Sequence, residues 1–374
     1  MIWPAGILRS PVDGAVLHAD TPHSLVADER WPVIDGIPFL RADRRVLADA
    51  ALVALDAGDA EHALLLLLGD QDGWARTPPP SEADRIAVIR DTSLSFRAAM
   101  EHLAFGPVAT YFAHRWSDPT FLSGLALAEA HWTNPTRVFE LACGAGHFLR
   151  EFARAASVVS GGDVVFAKLW LARRYVSPSA LLVCFDAAQR WPLPDGWADL
   201  VFCHDAFYFL PNKLFVATEM RRTGRTILVG HAHNALTDNL SSGSPLTPAA
   251  YAALFGTPLL YDDRELTRAL IDGRAPCPMP ADLLADAPAI ALAHGAVPHL
   301  VRDGLAVPAA GTALRRNPLY HHGMIAWPSE RYAAEYGPLA TYPAHTDAPD
   351  HAIAGPDTAA AARCRILLDL PAQW

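Results

Sequence analysis

The chain contains 374 residues, of which 51% are hydrophobic, so it is long enough to form two or three domains around a large core. Its net charge of -10 argues against an extended phosphate-binding surface, because nucleic-acid binding normally needs clustered lysines and arginines. The longest aliphatic run, Ala63 to Leu68, is far too short to cross a bilayer, and the pattern of a signal peptide is lacking. We therefore expect a cytoplasmic protein without nucleic-acid or membrane partners.

Residues 1–47 contain a strand-rich pattern with two informative segments, Ser10-Pro11-Val12-Asp13 and Trp31 to Leu40. This unit resembles the small zinc-ribbon-like proteins that activate RNA and translation-factor methyltransferases. The resemblance implies cysteine ligands where this chain has Ser10, Asp13 and Ala27, and those three side chains do not supply a closed zinc site. We expect a metal-free β-rich module that packs on a catalytic domain or helps to shape its acceptor side.

Residues 48–132 carry helical patterns and are expected to form a linker and lid. Apolar residues recur at helical intervals before the proline triplet at residues 78–80, and Ser81 is a plausible cap for the helical region that follows. The stretch from Phe105 to Trp132 is rich in Phe, Tyr, Trp and His. It is a candidate for a lid over a cofactor, and a packed pair of core helices is an equally good alternative.

The segment from Val138 to His147 reads as a buried strand that runs into a glycine-rich turn and then a helix. Gly144 and Gly146 leave room for a ligand near the backbone, which is typical of a nucleotide-cofactor loop. A dinucleotide-binding fingerprint would place a third glycine where this chain has Leu149, and it has no place for the acid Glu140.

The sequence from Glu140 to Gly146 resembles the first motif of the class I S-adenosylmethionine-dependent methyltransferases, with Ala142 where glycine is more usual. The next strand candidate ends in Asp163, where a carboxylate can accept both ribose hydroxyls. A third ends in Asp186-Ala187, where that family holds the adenine amino group, and Trp191 to Phe202 is similar to its fourth-strand motif. The resemblance implies a Rossmann-like α/β sheet flanked by helices, with S-adenosyl-L-methionine as cofactor. It implies the cofactor-binding residues Glu140, Ala142, Gly144, Gly146, Asp163, Asp186, Ala187 and His204.

Candidate catalytic residues follow the fourth and fifth strands. His204 titrates near neutrality and is a candidate base, with Asp205 either orienting it or accepting from the methionine ammonium group; the alternative is that His204 is only a wall residue. His231 and His233 are two residues apart, which places both side chains on one face of a strand. They could act as two general bases, or as ligands of a divalent metal together with a carboxylate such as Asp238. Two histidines are too few to claim a metal, so none is predicted. Phe207, Tyr208 and His233 are the expected acceptor-binding residues.

Residues 133–374 are expected to form the methyltransferase domain, with an insertion at about 235–315 that contributes to the acceptor pocket. Ile366 to Leu370 and Gly323 to Trp327 are candidates for the strand that closes the sheet. The predicted function is methyl transfer to an oxygen or nitrogen of a small metabolite or biosynthetic intermediate. The alternatives are a non-catalytic cofactor-binding partner and a peptide or protein methyltransferase. The sequence makes no prediction of the oligomeric state.

Overall fold

A computed structural model describes residues 2–75, 77–239, 243–297 and 304–374. The amino-terminal unit is a four-stranded antiparallel sheet whose strands pair in chain order, and a hairpin turn at Asp35-Gly36 joins the last two. Both turn residues have positive φ, 52° and 73°, as two-residue hairpin turns require. The strands are β1 (His18–Thr21), β2 (Ser24–Val26), β3 (Arg30–Ile34) and β4 (Ile37–Pro38).

Among the described residues, six α-helices precede the central sheet. Several begin at a side chain that accepts from the backbone of the first turn, among them Asp59, Ser81, Ser95 and Asp118. The last of the six is buried along its whole length, so it is a core helix. The helices are α1 (Arg45–Asp56), α2 (Ala60–Leu68), α3 (Glu82–Arg90), α4 (Phe96–His102), α5 (Pro107–Ala113) and α6 (Pro119–Ala130).

The central sheet has seven strands: β5 (Arg137–Leu141), β6 (Val158–Asp163), β7 (Leu181–Cys184), β8 (Ala198–His204), β9 (Gly224–His233), β10 (Leu259–Asp262) and β11 (Ala289–His294). Their spatial order is β7-β6-β5-β8-β9-β11-β10. Neighbouring strands from β7 to β9 pair in parallel, and β11 runs antiparallel to both of its neighbours. The chain order reverses between β5 and β8, and open parallel sheets bind ligands at the carboxyl ends of the strands beside such a reversal.

Helices cover both faces of this sheet: α7 (His147–Phe152), α8 (Phe166–Leu171), α9 (Lys213–Thr223), α10 (Pro248–Phe255) and α11 (Asp263–Asp272). Alternate residues of each strand enter opposite cores, so Val138 and Phe202 pack in one cluster and Phe139 and Val201 in the other. Helix α6 contacts α11 and β9. This arrangement confirms the predicted Rossmann-like α/β class with a separate amino-terminal sheet.

The amino-terminal sheet packs along the edge strand β7. The backbone N–H of Leu40 donates to the Cys184 carbonyl at 2.7 Å, and the indole N–H of Trp3 donates to the Leu182 carbonyl at 2.8 Å. These bonds occupy backbone groups that an edge strand would otherwise leave open. The amino-terminal unit therefore contacts the α/β domain along the edge of its sheet.

The carboxy-terminal region forms small elements: β12 (Ala313–Arg316), β13 (Tyr320–His321), β14 (Met324–Ile325), α12 (Glu330–Tyr336), β15 (His351–Ile353), α13 (Ala359–Arg363) and β16 (Leu367–Leu368). Neither predicted closing strand was right, because β14 pairs with β13 and makes one bridge to His345, and β16 lies in a separate sheet with β12 and β15. The central sheet is completed by β10 and β11, which lie inside the segment that was expected to be an insertion. Residues 240–242 and 298–303 of that segment lie outside the described residues.

None of the helices in the described ranges is long and apolar enough to span a membrane.

Candidate functional site

The glycine loop after β5 adopts backbone angles that glycine favours. Gly144 and Gly146 have φ of 54° and 82°, and Ala142 adopts the same left-handed region at 53°. A Cβ atom on Gly144 would lie 3.0 Å from the Phe112 ring, and one on Gly146 would lie 3.0 Å from the Cβ of Ala172. Both glycines are therefore required where the chain turns from the strand into α7.

Asp163 ends β6 beside this loop. One oxygen of its carboxylate accepts the Gly144 N–H at 2.9 Å, and the other accepts the Val165 N–H at 2.9 Å. The ammonium group of Lys168 lies 3.8 Å from the same carboxylate. Asp186, two residues after β7, caps the Ala188 N–H at 2.9 Å. The structure thus places Asp163 next to the glycine loop at the carboxyl edge of the sheet.

Glu140 supplies a buried polar atom with no partner in the described parts of the chain. Its side chain is 4% exposed, and its Oε2 atom has no hydrogen bond. Burial raises the pKa of this carboxyl well above its usual value, although Arg115 opposes the shift. The unpartnered Glu140 oxygen and the Asp163 carboxylate can accept from hydroxyl and amino groups beside two glycines with positive φ, so the residues present fit S-adenosylmethionine.

Asp205, at the end of β8, is the centre of a second group of side chains. Tyr111 and Tyr208 donate their hydroxyls to its two oxygens at 2.7 and 2.9 Å, and the Arg115 guanidinium lies 3.7 Å away. Burial alone would raise the pKa of Asp205, but His231 and Arg115 outweigh that effect and lower it to about 2. The carboxylate is therefore ionised at neutral pH.

His231 and His233 lie at the end of β9, next to Asp205. One atom from each of these three residues lies within 4.8 Å of the other two. His231 Nδ1 is 2.8 Å from the Asp263 carboxylate, and although burial opposes protonation, that carboxylate raises the pKa of His231 to about 9. Burial lowers the pKa of His233 to about 4, and its Nδ1 has no partner among the described residues.

His204 lies deeper, under α6. Its ring stacks on Phe202 with the ring centroids 5.9 Å apart, and it packs on Phe148 at 4.9 Å. Burial lowers the pKa of His204 to about 3, and within the described residues neither ring nitrogen has a hydrogen-bond partner. A base of such low pKa is inefficient near neutrality. A catalytic role for His204 stays a prediction that this environment does not favour.

A cavity of about 190 Å³ opens beside His231 and His233 at the same edge of the sheet. Asp238 and Asp263 line it from the strand ends, and Glu335 and Tyr336 line it from α12. Helix α12 is held over α5 because the Tyr332 hydroxyl donates to the His114 carbonyl at 3.4 Å. The cavity therefore lies between the sheet edge and the carboxy-terminal region and is partly open to solvent.

Sequence reasoning found part of this site. The structure brings together Asp205, Tyr208, His231 and His233, whereas Phe207 packs instead against Tyr251 and Phe255 in the core. The segment from Phe105 to Trp132 contains two helices in different positions. Helix α6 is buried in the core, whereas α5 lies over the glycine loop.

Three residues were missed: Tyr111, Arg115 and Asp263. Asp263 had a local signal, because it is the first residue of a capped helix directly after a strand. The other two lie in the aromatic segment and gave no signal of their own.

Residues 139–226 match the family model described as a methyltransferase domain. The match runs from the glycine loop through Asp163, Asp186 and Asp205 to the start of β9. The match shows that this part of the chain is a methyltransferase domain of the S-adenosylmethionine-dependent type. The enzyme's cofactor is S-adenosylmethionine.

Several solved structures are similar over part of the chain. A presumed methyltransferase of Bacillus halodurans C-125 is 16% identical, covers 46% of this chain and 94% of its own, and has a TM-score of 0.32. The complex between the Trm112 methyltransferase activator of Haloferax volcanii and a presumed methyltransferase is 16% identical. It covers 51% of this chain and 93% of its own, with a TM-score of 0.36. An amino pentose methyltransferase of Micromonospora echinaspora is 23% identical, covers 34% of this chain and 56% of its own, and has a TM-score of 0.28. Similarities this low say nothing about the acceptor. No protein of curated function matches the sequence significantly.

Proposed function

We propose that this enzyme transfers a methyl group from S-adenosylmethionine to an oxygen or nitrogen of a small metabolite or biosynthetic intermediate. The observation that supports the proposal is the cavity of about 190 Å³ that His231 and His233 line at the carboxyl edge of the sheet, with Asp205 close to both histidines. A space of this size under α12 suits a small molecule better than a peptide chain. The net charge of -10 supports the same conclusion against nucleic acid.

Helix α5 connects the cofactor loop with the acceptor side. The Phe112 ring packs against Gly144, and the hydroxyl of the preceding residue, Tyr111, donates a hydrogen bond to the Asp205 carboxylate. Two consecutive residues of α5 therefore connect the glycine loop with Asp205. Transfer reactions depend on such alignment, because holding two reactants in register removes much of the entropic barrier.

When bound, S-adenosylmethionine supplies an activated methyl group on a sulfonium centre. In our proposal Glu140, Ala142, Gly144, Gly146, Asp163, Asp186 and Ala187 hold that cofactor. Asp205 and His231 orient the acceptor through an ionised carboxylate and a protonated imidazole, while Tyr208 and His233 form its wall. His204 is assigned to the wall beneath them, as a neutral ring packed between Phe148 and Phe202.

The amino-terminal unit, residues 1–47, is proposed to be a zinc-free relative of the activator-type module. Ser10 accepts the Val12 N–H at 3.3 Å, and Asp13 accepts the Ala15 N–H at 2.9 Å, so both side chains are used in a turn. The unit covers the edge of β7, one strand from Asp163. We propose that it stabilises the cofactor side of the domain; residues 48–132 connect it to the catalytic region.

Methyl-labelled S-adenosylmethionine, incubated with the enzyme and a metabolite extract, tests this function. The extract is separated afterwards into a small-molecule and a protein fraction. We expect label in the small-molecule fraction, with much less for Asp163→Ala and unchanged incorporation for the exposed control Asp357→Asn. Label confined to the protein fraction would replace the proposal with a protein methyltransferase. Cofactor binding without transfer in either fraction would favour a non-catalytic partner.

A further inference from the structure

Three side chains at the ends of two neighbouring strands have the composition of a metal-binding site. Asp205 follows β8, while His231 and His233 end β9, where alternation along the strand brings both imidazoles to one side. Their candidate ligand atoms lie within 4.8 Å of one another. In a tetrahedral site, ligands held about 2.1 Å from an ion lie about 3.4 Å apart, so ion binding draws these atoms together by up to about 1.4 Å.

The groups around these side chains are those that usually support metal ligands. Asp263 accepts from Nδ1 of His231, which leaves Nε2 as the nitrogen available to an ion. Tyr111 and Tyr208 each donate a hydroxyl to the Asp205 carboxylate and fix its orientation. A carboxylate behind a ligating histidine, and hydrogen bonds to a ligating carboxylate, set tautomer and geometry at known metal sites.

Two observations support a ligand-binding role for Asp205, His231 and His233. The Nδ1 atom of His233 is buried and without a hydrogen-bond partner in the described part of the chain, which costs free energy unless something binds there. Asp205 and His231 both have positive φ, 54° and 49°, although neither is glycine. Backbone strain of this kind persists where surrounding structure enforces it, and it clusters at functional sites.

We propose that Asp205, His231 and His233 bind one divalent first-row transition ion, of the Zn²⁺ or Co²⁺ type, at the wall of the acceptor cavity. Two imidazoles and one carboxylate suit such ions better than Mg²⁺ or Ca²⁺, which prefer all-oxygen sites. Asp238, which the sequence suggested as the carboxylate ligand, instead lines the cavity on its exposed side. Three protein ligands leave coordination positions open toward the cavity. The further statement that these positions receive the acceptor's oxygen or nitrogen rests on the proposed function.

The first test uses the chelator-treated full chain without cofactor or acceptor. Cobalt is titrated in, and visible absorption and calorimetry report the binding. We expect one ion per chain and a visible spectrum of imidazole and carboxylate coordination. His233→Gln should lower the affinity at least about 100-fold, whereas Asp263→Asn, which affects only the support of a ligand, should lower it about 10- to 100-fold. His351→Gln, an exposed histidine on β15, is the matched control and should bind like the parent.

Two results would overturn the metal site: no cobalt bound, or cobalt bound equally well by His233→Gln. A third is the loss of cobalt in Ser10→Ala, because it would place the ion in the amino-terminal unit instead. The cobalt spectrum of the parent decides the matter even if His233→Gln fails to fold. Methyl transfer is measured separately on the same samples. Metal binding without transfer would contradict only the proposed function. Transfer by a chelator-treated enzyme that binds no metal would contradict only the metal site.

Discussion

The hydroxyl of Tyr111 donates a hydrogen bond to the carboxylate of Asp205 at 2.7 Å, although the two residues are 94 positions apart in the chain. Tyr111 lies on α5 and Asp205 at the end of β8, so the bond fastens a helix that lies before the sheet to the acceptor edge of the sheet. Arg115 reinforces the contact, since its guanidinium is 4.9 Å from the Tyr111 ring and 3.7 Å from the carboxylate. The position of Asp205 therefore depends on α5.

Replacing Tyr111 by Phe removes this donor while it keeps the ring. We expect kcat/KM for the acceptor to fall about 10- to 100-fold, because a hydrogen bond to a charged group contributes about 1.5–3 kcal/mol. Cofactor affinity, measured by calorimetry, should stay within a few-fold. Tyr175→Phe is a matched control, because its hydroxyl has no partner in the described structure, and its kinetics should match the parent. An equal loss of cofactor affinity in Tyr111→Phe would show that the contact serves the cofactor instead.

His204→Asn separates a wall residue from a base. A buried neutral imidazole without proton transfer predicts turnover within a few-fold of the parent, provided that the thermal unfolding profile shows a folded protein. A general base predicts a loss of about 10²–10⁴-fold in turnover at unchanged cofactor affinity. Steady-state kinetics at saturating acceptor distinguish the two. The larger loss would return His204 to the catalytic role that its sequence position first indicated.

Gly162 shows how tightly β6 packs against the neighbouring aromatic core. A Cβ atom there would lie 2.2 Å from Cε1 of Phe185 and 3.3 Å from the Phe139 ring. Gly162→Ala should therefore lower the free energy of unfolding by about 1–3 kcal/mol through overpacking. Gly355→Ala, where an added Cβ meets nothing within 4 Å, is the control. Equal denaturant midpoints for the two variants would contradict this packing.

Each buried histidine with a lowered pKa contributes a loss of stability in mild acid, and His147 and His114 are two of them. Burial lowers the pKa of His147 from 6.5 to about 3 and that of His114 to about 4. Between these values and about 6.5 the unfolded chain binds more protons than the folded one, so stability falls as pH falls through that window. The slope is about 1.4 kcal/mol per pH unit for each histidine.

Denaturant unfolding at several pH values between about 7 and 5 measures this slope. His147→Gln keeps a donor for the Phe112 carbonyl, which its Nε2 contacts at 2.9 Å, and should make the dependence shallower. His351→Gln, in an exposed strand, should leave the slope unchanged. A slope for His147→Gln equal to that of the parent would contradict the lowered pKa of His147 in the folded state.

The proposed cofactor half of the site rests on local sequence signals. Glu140, Gly144 and Gly146 follow one another within a single turn, and Asp163 ends the next strand. The acceptor half was only partly predictable, since Tyr111, Asp205 and Asp263 come from distant segments that only the folded sheet brings together. The closing strands were misplaced for a related reason. Leu259–Asp262 and Ala289–His294 are short apolar runs inside a long segment, and periodicity alone does not assign such runs to a sheet.

The most direct test of the account is a calorimetric titration of the parent chain with S-adenosylhomocysteine, the demethylated form of the cofactor. We predict one site per chain, no displacement by a nicotinamide dinucleotide, and affinity reduced by about 1–3 kcal/mol in Asp163→Ala through the loss of charge-assisted hydrogen bonds. Because Asp163 also holds the Gly144 N–H, Asp163→Asn should lose less than Asp163→Ala. No binding by the folded parent, or tighter binding of the dinucleotide, would contradict the central claim that the loop from Glu140 to Gly146 is an S-adenosylmethionine site.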